Sequence, residues 1–237
     1  MIDLHCHLAY GVDDGPQSPE ESIKLAQALS QAGVTHVACT SHLRRDKFWV
    51  NDQSVQEAIH QNLDQALGNT GPLRFKGAEH YLDELLLETC QQKQAVPFTN
   101  TNWILLELPY QIEPPNLMTI LFRIRSLGYK LLLAHIERFP YITDHPHKIE
   151  ALVNAGYALQ VNLGSLSGAY GKVYQKAAEK IISGGHAFVA AGDCHRAEDV
   201  EPFILQGLAA LRRLLGDSGV RQLTVEQPAQ ILGVDGK

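Results

Sequence analysis

The chain of 237 residues has 45% hydrophobic and 19% charged side chains, ordinary globular proportions that exclude a disordered or fibrous protein. Its 20 Lys and Arg against 26 Asp and Glu give a formal charge of −6, which argues against wholesale binding to nucleic acid or to an anionic membrane. No apolar run approaches the ~20 residues of a membrane helix, so no membrane insertion is expected. No linker or repeat interrupts the chain, and residues 1–237 read as a single domain.

Met1-Ile-Asp-Leu-His5 starts directly as structure, without the basic and apolar segments of a secretory signal. Short β-branched or Leu-rich runs then alternate with helical segments, the pattern of parallel strands joined by crossover helices. Strands are predicted at Ile2 to His5, Thr35 to Thr40, Leu73 to Glu79, Trp103 to Glu107, Lys130 to His135, Ala158 to Asn162 and Ala187 to Ala191. The first helix is opened by the capping box Ser18-Pro19-Glu20-Glu21 and closed by Gly33; others are predicted at Ser54 to Leu67, Pro115 to Leu127, Lys148 to Gly156, Lys172 to Ser183 and Ala197 to Leu215. Four cysteines, at 6, 39, 90 and 194, form no CxxC pair and are read as reduced thiols of a cytoplasmic protein.

The eleven histidines are the unusual feature, and their phase carries the argument. His5 and His7 end the first strand, His42 follows the second, Glu79 ends the third, Glu107 the fourth and His135 the fifth, while Asp193 and His195 follow the seventh. Only the sixth, ending at Asn162, lacks a strong metal ligand. In a parallel barrel the C-terminal strand ends surround one mouth, so residues far apart in sequence converge there. Strand alternation turns His5 and His7 to one side and Cys6 to the other, and Asp193-Cys194-His195 repeats that geometry. Either Asp13 or Asp14 can join them; Asp14 is preferred because Gly15 permits a sharp turn behind it. Carboxylates such as Glu79 and Glu107 on inward-facing positions need pairing or a cation. Arg138, just beyond His135, suits a phosphate clamp, with a structural pair to Glu137 as the rival. His36, His60, His80, His145, His147 and His186 are read as surface or capping residues.

Nitrogen and oxygen donors favour Mn²⁺, Fe²⁺, Zn²⁺ or Mg²⁺. Shared among them with Glu79 as a bridge, the nine donors suggest three divalent ions, whose excess charge would attract a phosphate dianion. The loop Leu43-Arg-Arg-Asp-Lys-Phe-Trp49 places basic and aromatic residues next to His42; it reads equally as a solvated loop with Phe48 and Trp49 anchored on the barrel, or as a border of the mouth whose aromatics offer a face to a ring and whose charges attract an acidic segment.

The motifs His5-Cys-His7, Asp13-Asp-Gly-Pro16, Ser41-His42, Gly77-Ala-Glu79, Leu106-Glu107, Ala134-His135-Ile-Glu-Arg138, Gln160-Val-Asn162 and Asp193-Cys-His195 resemble the polymerase-and-histidinol-phosphatase (PHP) superfamily along nearly the whole chain. Within it, the sequence is most similar to the bacterial protein tyrosine phosphatases of capsule and exopolysaccharide operons. The resemblance implies a distorted seven-stranded (β/α) barrel, three manganese-type ions, and dephosphorylation of an autophosphorylating bacterial tyrosine kinase. It also implies a ligand set: His5, His7, Glu79 and Asp193 for one ion, Glu79, Glu107 and His135 for a second, and Asp14, His42 and His195 for a third. Arg138 matches the phosphate-binding Arg of the family. A second family Arg lies some residues beyond the Asp-x-His element; here Arg196 follows His195 directly, and Arg196 and Arg45 stand as further substrate-binding candidates.

Two enzymatic rivals and one non-enzymatic rival remain. Cys39-Thr-Ser-His-Leu-Arg-Arg45 fits C-x5-R, the phosphate loop of cysteine-based tyrosine phosphatases, but lacks the glycines such a loop needs. A metal-dependent enzyme for histidinol phosphate or another small phosphoester is the second. A metal-stabilised adaptor is the third, and it has no need of open coordination positions beside an Arg.

Overall fold

The computed structural model describes residues 1–44, 47 and 53–236. In chain order the elements are β1 (Ile2–Cys6), α1 (Pro19–Gln31), β2 (His36–Cys39), β3 (His42–Leu43), α2 (Gln53–Leu67), β4 (Leu73–Lys76), β5 (Glu79–Tyr81) and α3 (Leu86–Gln91). Then follow β6 (Trp103–Glu107), α4 (Leu117–Ser126), β7 (Lys130–Leu133), α5 (Pro140–Thr143), α6 (Pro146–Asn154), β8 (Ala158–Asn162), α7 (Leu163–Leu166), α8 (Lys172–Ser183), β9 (Val189–Ala191), α9 (Gln206–Arg221) and α10 (Gln227–Leu232).

All strand pairs are parallel, in the orders β1-β2-β4 and β3-β5-β6-β7-β8-β9. The second predicted strand is the shorter β2, with β3 lying beyond its predicted end, and the third is β4, with β5 beginning at its last predicted residue, so nine strands stand among the described residues where seven were predicted. The break between β4 and β5 falls at Gly77, where a Cβ would meet the Phe98 ring at 2.8 Å. Glu79 therefore opens β5 rather than ending the preceding strand. The first and last segments are linked by an isolated parallel bridge between Cys6 and Cys194, with His7 N donating to Cys194 O at 3.0 Å and Asp193 N to His5 O at 2.7 Å. This is a distorted parallel α/β arrangement of the barrel type.

Helix α1 begins as its capping box predicts, with Ser18 Oγ accepting from Glu21 N. Its apolar stripe, Leu25, Ala26 and Leu29, is buried in the main core between helices and strands. The predicted helix 197–215 is instead a short 3₁₀ turn at Ala197–Asp199, a wide turn at Glu201–Leu205 and then α9. A smaller core gathers Leu105, Leu132, Ala158 and Val189 with Ile2, Leu4 and residues of α10. On β6 and β8, alternation puts Leu105 beside Glu107, and Ala158 beside Gln160 and Asn162. Each strand thus carries apolar packing at one end and polar chemistry at the other.

Candidate metal centre

All nine predicted ligands converge. Among the described residues, four groups bring donor atoms within 4.8 Å of one another: His7, Asp14, His42 and His195; His5, His7 and Asp193; His5, Glu79 and His135; and His42, Glu79 and Glu107. Together these groups use the nine predicted residues and no others. Glu107 and His135, which the resemblance assigns to one ion, fall in different groups that share Glu79.

Glu79 is the hub. Its Oε1 lies 2.9 Å from His135 Nε2, and its Oε2 lies 2.9 Å from His42 Nδ1, 3.3 Å from His5 Nε2 and 3.4 Å from His7 Nε2. Asp193 Oδ1 sits 3.3 Å from His5 Nε2 and 3.4 Å from His7 Nε2, and Asp14 Oδ1 sits 3.3 Å from His195 Nε2 and 3.6 Å from His42 Nε2. Buried Glu79 Oε2 accepts no aligned hydrogen bond from the nitrogens around it. Donors bonded to one cation at about 2.1 Å stand roughly 3.0–3.4 Å apart along the edges of an octahedral or tetrahedral shell. The spacing here is that of ligand edges, and the donor set fits hard or borderline divalent ions.

The electrostatics agree. Burial opposes charge on Glu79 and Asp193, yet the surrounding imidazoles, His5 foremost, hold both carboxyls well below the usual range. Burial likewise opposes charge on His5, but Asp193 and Glu79 outweigh it and raise its pKa to about 9. Glu107 goes the other way, pushed up by burial and by the charge of Glu79. Protons on the histidines thus occupy the role of a cation and do not suffice for every carboxylate.

Several residues outside the predicted set aim the ligands. Asp13 Oδ2 lies 2.7 Å from His7 Nδ1 and accepts from His42 N at 2.8 Å, so the Asp13–Asp14 choice resolves into an orienting residue and a member of the cluster. Gly15 has no positive φ; its missing Cβ is needed because one would meet His7 O at 2.6 Å. Gln160 Oε1 lies 3.1 Å from His5 Nδ1 and accepts from His135 N at 3.0 Å, while Gln160 Nε2 donates to Asn162 Oδ1 at 2.5 Å. Asn162 Nδ2 donates onward to Asp193 Oδ2 at 2.7 Å. The segment without a candidate ligand therefore supplies groups that orient the candidate ligands of other segments, and two amides on the inward face of β8 were the signal for it. Asp199 Oδ2 accepts from His195 N and Arg196 N at 2.8 and 2.9 Å. His135 and Asp193 adopt φ of 30° and 57°, left-handed conformations that cost non-glycine residues energy and cluster at functional sites.

The cluster floors an open cleft of about 810 Å³. Arg138 lines it, with its guanidinium 5.7 Å from the Tyr110 ring centroid and 5.1 Å from that of Tyr170, and Nη1 3.7 Å from Asp193 Oδ2. The rival Arg138–Glu137 pair does not form: Glu137 Oε1 accepts from Asn162 N at 3.1 Å and Ser165 Oγ at 2.6 Å. Arg196 is exposed at the rim. Arg44 and Lys47 also line the cleft, whereas Arg45, Phe48 and Trp49 lie outside the described residues.

Of the remaining histidines, His36 and His186 are half-buried and His145 and His147 exposed. His60 and His80 are buried instead of surface-lying, and burial lowers both to about 4. His80 bridges Leu105 O and Val96 N, a packing role. The Cys39 thiol is 1% exposed and pushed by burial to about 12, the reverse of an activated nucleophile. All four cysteines are free and buried.

Residues 1–233 match the family described as capsular polysaccharide synthesis, CpsB/CapC. The tyrosine-protein phosphatase CpsB of Streptococcus agalactiae is 27% identical over 98% of both chains. The tyrosine-protein phosphatase YwqE of Bacillus subtilis is 26% identical over 94% of this chain and 89% of its own. A solved structure from work on YwqE and Streptococcus pneumoniae CpsB, described as unique metal-dependent tyrosine phosphatases, superposes with a TM-score of 0.89 at 24% identity, covering 98% of this chain and 94% of that one. The lactonase Lmo2620 from Listeria monocytogenes shares the fold more distantly, with a TM-score of 0.65 at 11% identity over 98% of this chain and 94% of that one. With its match running from Met1 to within a few residues of the last, the chain belongs to the CpsB/CapC family.

Proposed function

We propose that residues 1–237 form one cytoplasmic, metal-dependent protein-tyrosine phosphatase domain. Its substrate in this reading is phosphotyrosine on an autophosphorylating bacterial tyrosine kinase that controls capsule or exopolysaccharide synthesis. The observation that carries the reading is Arg138, set between two tyrosine rings over a convergent cluster of five imidazoles and four carboxylates. The names of the relatives support it.

His5, His7, Asp14, His42, Glu79, Glu107, His135, Asp193 and His195 would hold three divalent ions, manganese first, with iron, zinc or magnesium as alternatives. Such ions supply Lewis acidity, which acidifies water towards neutral pKa and neutralises phosphoryl oxygens. Gln160 and Asp13 engage the Nδ1 atoms of His5 and His7, leaving each Nε2 to face the cluster. Arg138 offers a planar, permanently charged fork to phosphoryl oxygens, pre-oriented by Tyr110 and Tyr170. Tyr81, Tyr110, Tyr170 and Phe203 give the cleft walls on which a phenyl ring can lie. No side chain is assigned as general acid, because a phenol of pKa about 10 is a tolerable leaving group.

The test compares hydrolysis of a phosphotyrosine peptide and of histidinol phosphate by the same metal-loaded protein. Preference for the peptide, abolished by chelation and restored by Mn²⁺, is expected. Preference for histidinol phosphate would assign a small-molecule phosphoesterase, and undiminished activity in metal-free protein would end the metal reading.

A further inference from the structure

One fully buried carboxylate near the cleft belongs neither to the cluster nor to the cleft lining. Glu137, in the 3₁₀ turn Ile136–Arg138 after β7, is 1% exposed and joins none of the four candidate cation groups. Its Oε1 accepts from Asn162 N at 3.1 Å and from Ser165 Oγ at 2.6 Å, while its Oε2 is buried without an aligned hydrogen bond among the described residues. A half-satisfied carboxylate withdrawn from water is costly, and an apolar side chain would fill the same space without that cost.

The bond to Ser165 closes a ring of contacts around Arg138. Ser165 lies in α7, where its carbonyl accepts from Gly168 N at 3.0 Å and that of Gly164 accepts from Ala169 N at 3.0 Å. The turn leading to Tyr170 thus hangs on α7. Gly164 also lets the Tyr170 ring come close, since a Cβ there would meet it at 2.9 Å. That ring lies 5.1 Å from the guanidinium of Arg138, the residue next to Glu137. Glu137 therefore fastens the turn that carries Arg138 to the helix that sets its stacking partner. Ring packing and the 3.7 Å approach to Asp193 hold the guanidinium itself, but neither sets where its backbone stands. His135 does not depend on this fastening, because its N donates to Gln160 Oε1 at 3.0 Å and its Nε2 lies 2.9 Å from Glu79 Oε1.

We infer that Glu137 is a positioning residue for Arg138, locking the turn after β7 to α7 so that the guanidinium stands aimed into the cleft before a phosphoryl group arrives. The inference rests on the phosphatase reading above and deepens it. Displacing a preorganised charge donor by about 1 Å can cost as much as 10²-fold in rate, so an uncharged contact far from the reacting atoms can still govern turnover.

A double-mutant cycle on the metal-loaded protein tests this, reading metal content, calorimetric affinity for inorganic phosphate and kcat/KM on p-nitrophenyl phosphate. Glu137→Ala should keep its metal, weaken phosphate binding and lower kcat/KM, each by about tenfold or more. The same substitution in an Arg138→Ala background should change neither quantity further, because residues that act as a unit are not additive. Glu137→Gln keeps the accepting oxygen and should restore most of both. Ser165→Ala removes one bond and leaves the carboxylate in place; it should give a smaller loss that likewise vanishes with Arg138→Ala, and it serves where Glu137→Ala fails to fold. Equal losses with and without Arg138 would overturn the inference, as would loss of metal from Glu137→Ala, which would assign Glu137 to His135. A Glu137→Gln protein as poor as Glu137→Ala would overturn it in favour of a role for the charge. Should the wild type bind phosphate but ignore a phosphotyrosine peptide, the tyrosine-phosphatase reading falls while the cycle still decides Glu137; a wild type that binds no phosphate ends both.

Discussion

Glu79 and Arg138 sit close together in the cleft but do different work, and substitution separates them. Glu79 is 1% exposed with imidazole nitrogens of four histidines from three other segments around it. Glu79→Gln removes the charge that holds cations together, so metal content and rate should fall together. Arg138→Ala should keep its metal and lose about 10²-fold or more in kcat/KM, the usual effect of removing a preorganised charge donor. Elemental analysis of the two proteins decides, and equal metal loss from both would make Arg138 a structural residue. Protonation gives a second prediction at this scale. The folded pKa of His5, about 9, lies above its ordinary 6.5, so in metal-free protein its charge contributes stability fully below pH 6.5. That contribution is lost as pH rises through about 9. The same protons compete with cations, so metal affinity should rise over this window. A melting temperature of the metal-free protein that climbs between these pH values would contradict the assignment.

At the scale of elements, β8 provides no ligand but holds the ligands of its neighbours. Gln160 reaches His5 and His135, and Asn162 reaches Asp193, so one strand couples three segments of the cluster. Gln160→Leu should therefore weaken metal binding by roughly 10- to 100-fold, as loss of an outer-shell partner does, read by titration of the metal-free protein. Unchanged affinity would reduce β8 to a spacer. Strand ends were legible because a buried carboxylate or imidazole closing an apolar run is a local signal, as in Trp103–Glu107. The division of the third strand was not, because the break falls at Gly77, whose close approach to Phe98 is a contact made across 21 positions of sequence. His60 and His80 escaped for a related reason: a neutral, packed histidine looks the same in sequence as a surface one until its neighbours are known. The left-handed turns at His135 and Asp193 carry only a weak signature, since Asp and His enter that region more readily than other side chains yet far less often than glycine.

For the whole molecule, the consequence of this layout is that cation binding, on the reading proposed above, would be coupled to folding. The candidate ligands come from β1 and the loop after it, from β3, β5 and β6, from the turn after β7 and from the segment after β9, so ions held by them would tie together both sheets. Without cations the centre confines four carboxylates and five imidazoles, buried or half-buried but for Asp14, with protons on His5 and His42 favoured by the surrounding carboxylates. An ion that binds only the folded chain stabilises it by about 2.7 kcal/mol at 100-fold excess over Kd, and a chain of this size gains roughly 2–4 °C in Tm per kcal/mol. Chelation should therefore lower Tm by about 5–10 °C for each such ion removed, while unfolding stays a single transition because the ligands span the fold. Differential scanning calorimetry with chelator, and then with Mn²⁺ returned in excess, makes the measurement. A Tm indifferent to both additions would show that the nine donors do not hold cations in solution. Two separated transitions after chelation would show that the sheets are coupled through the metals alone, not through the Cys6–Cys194 bridge and the shared core.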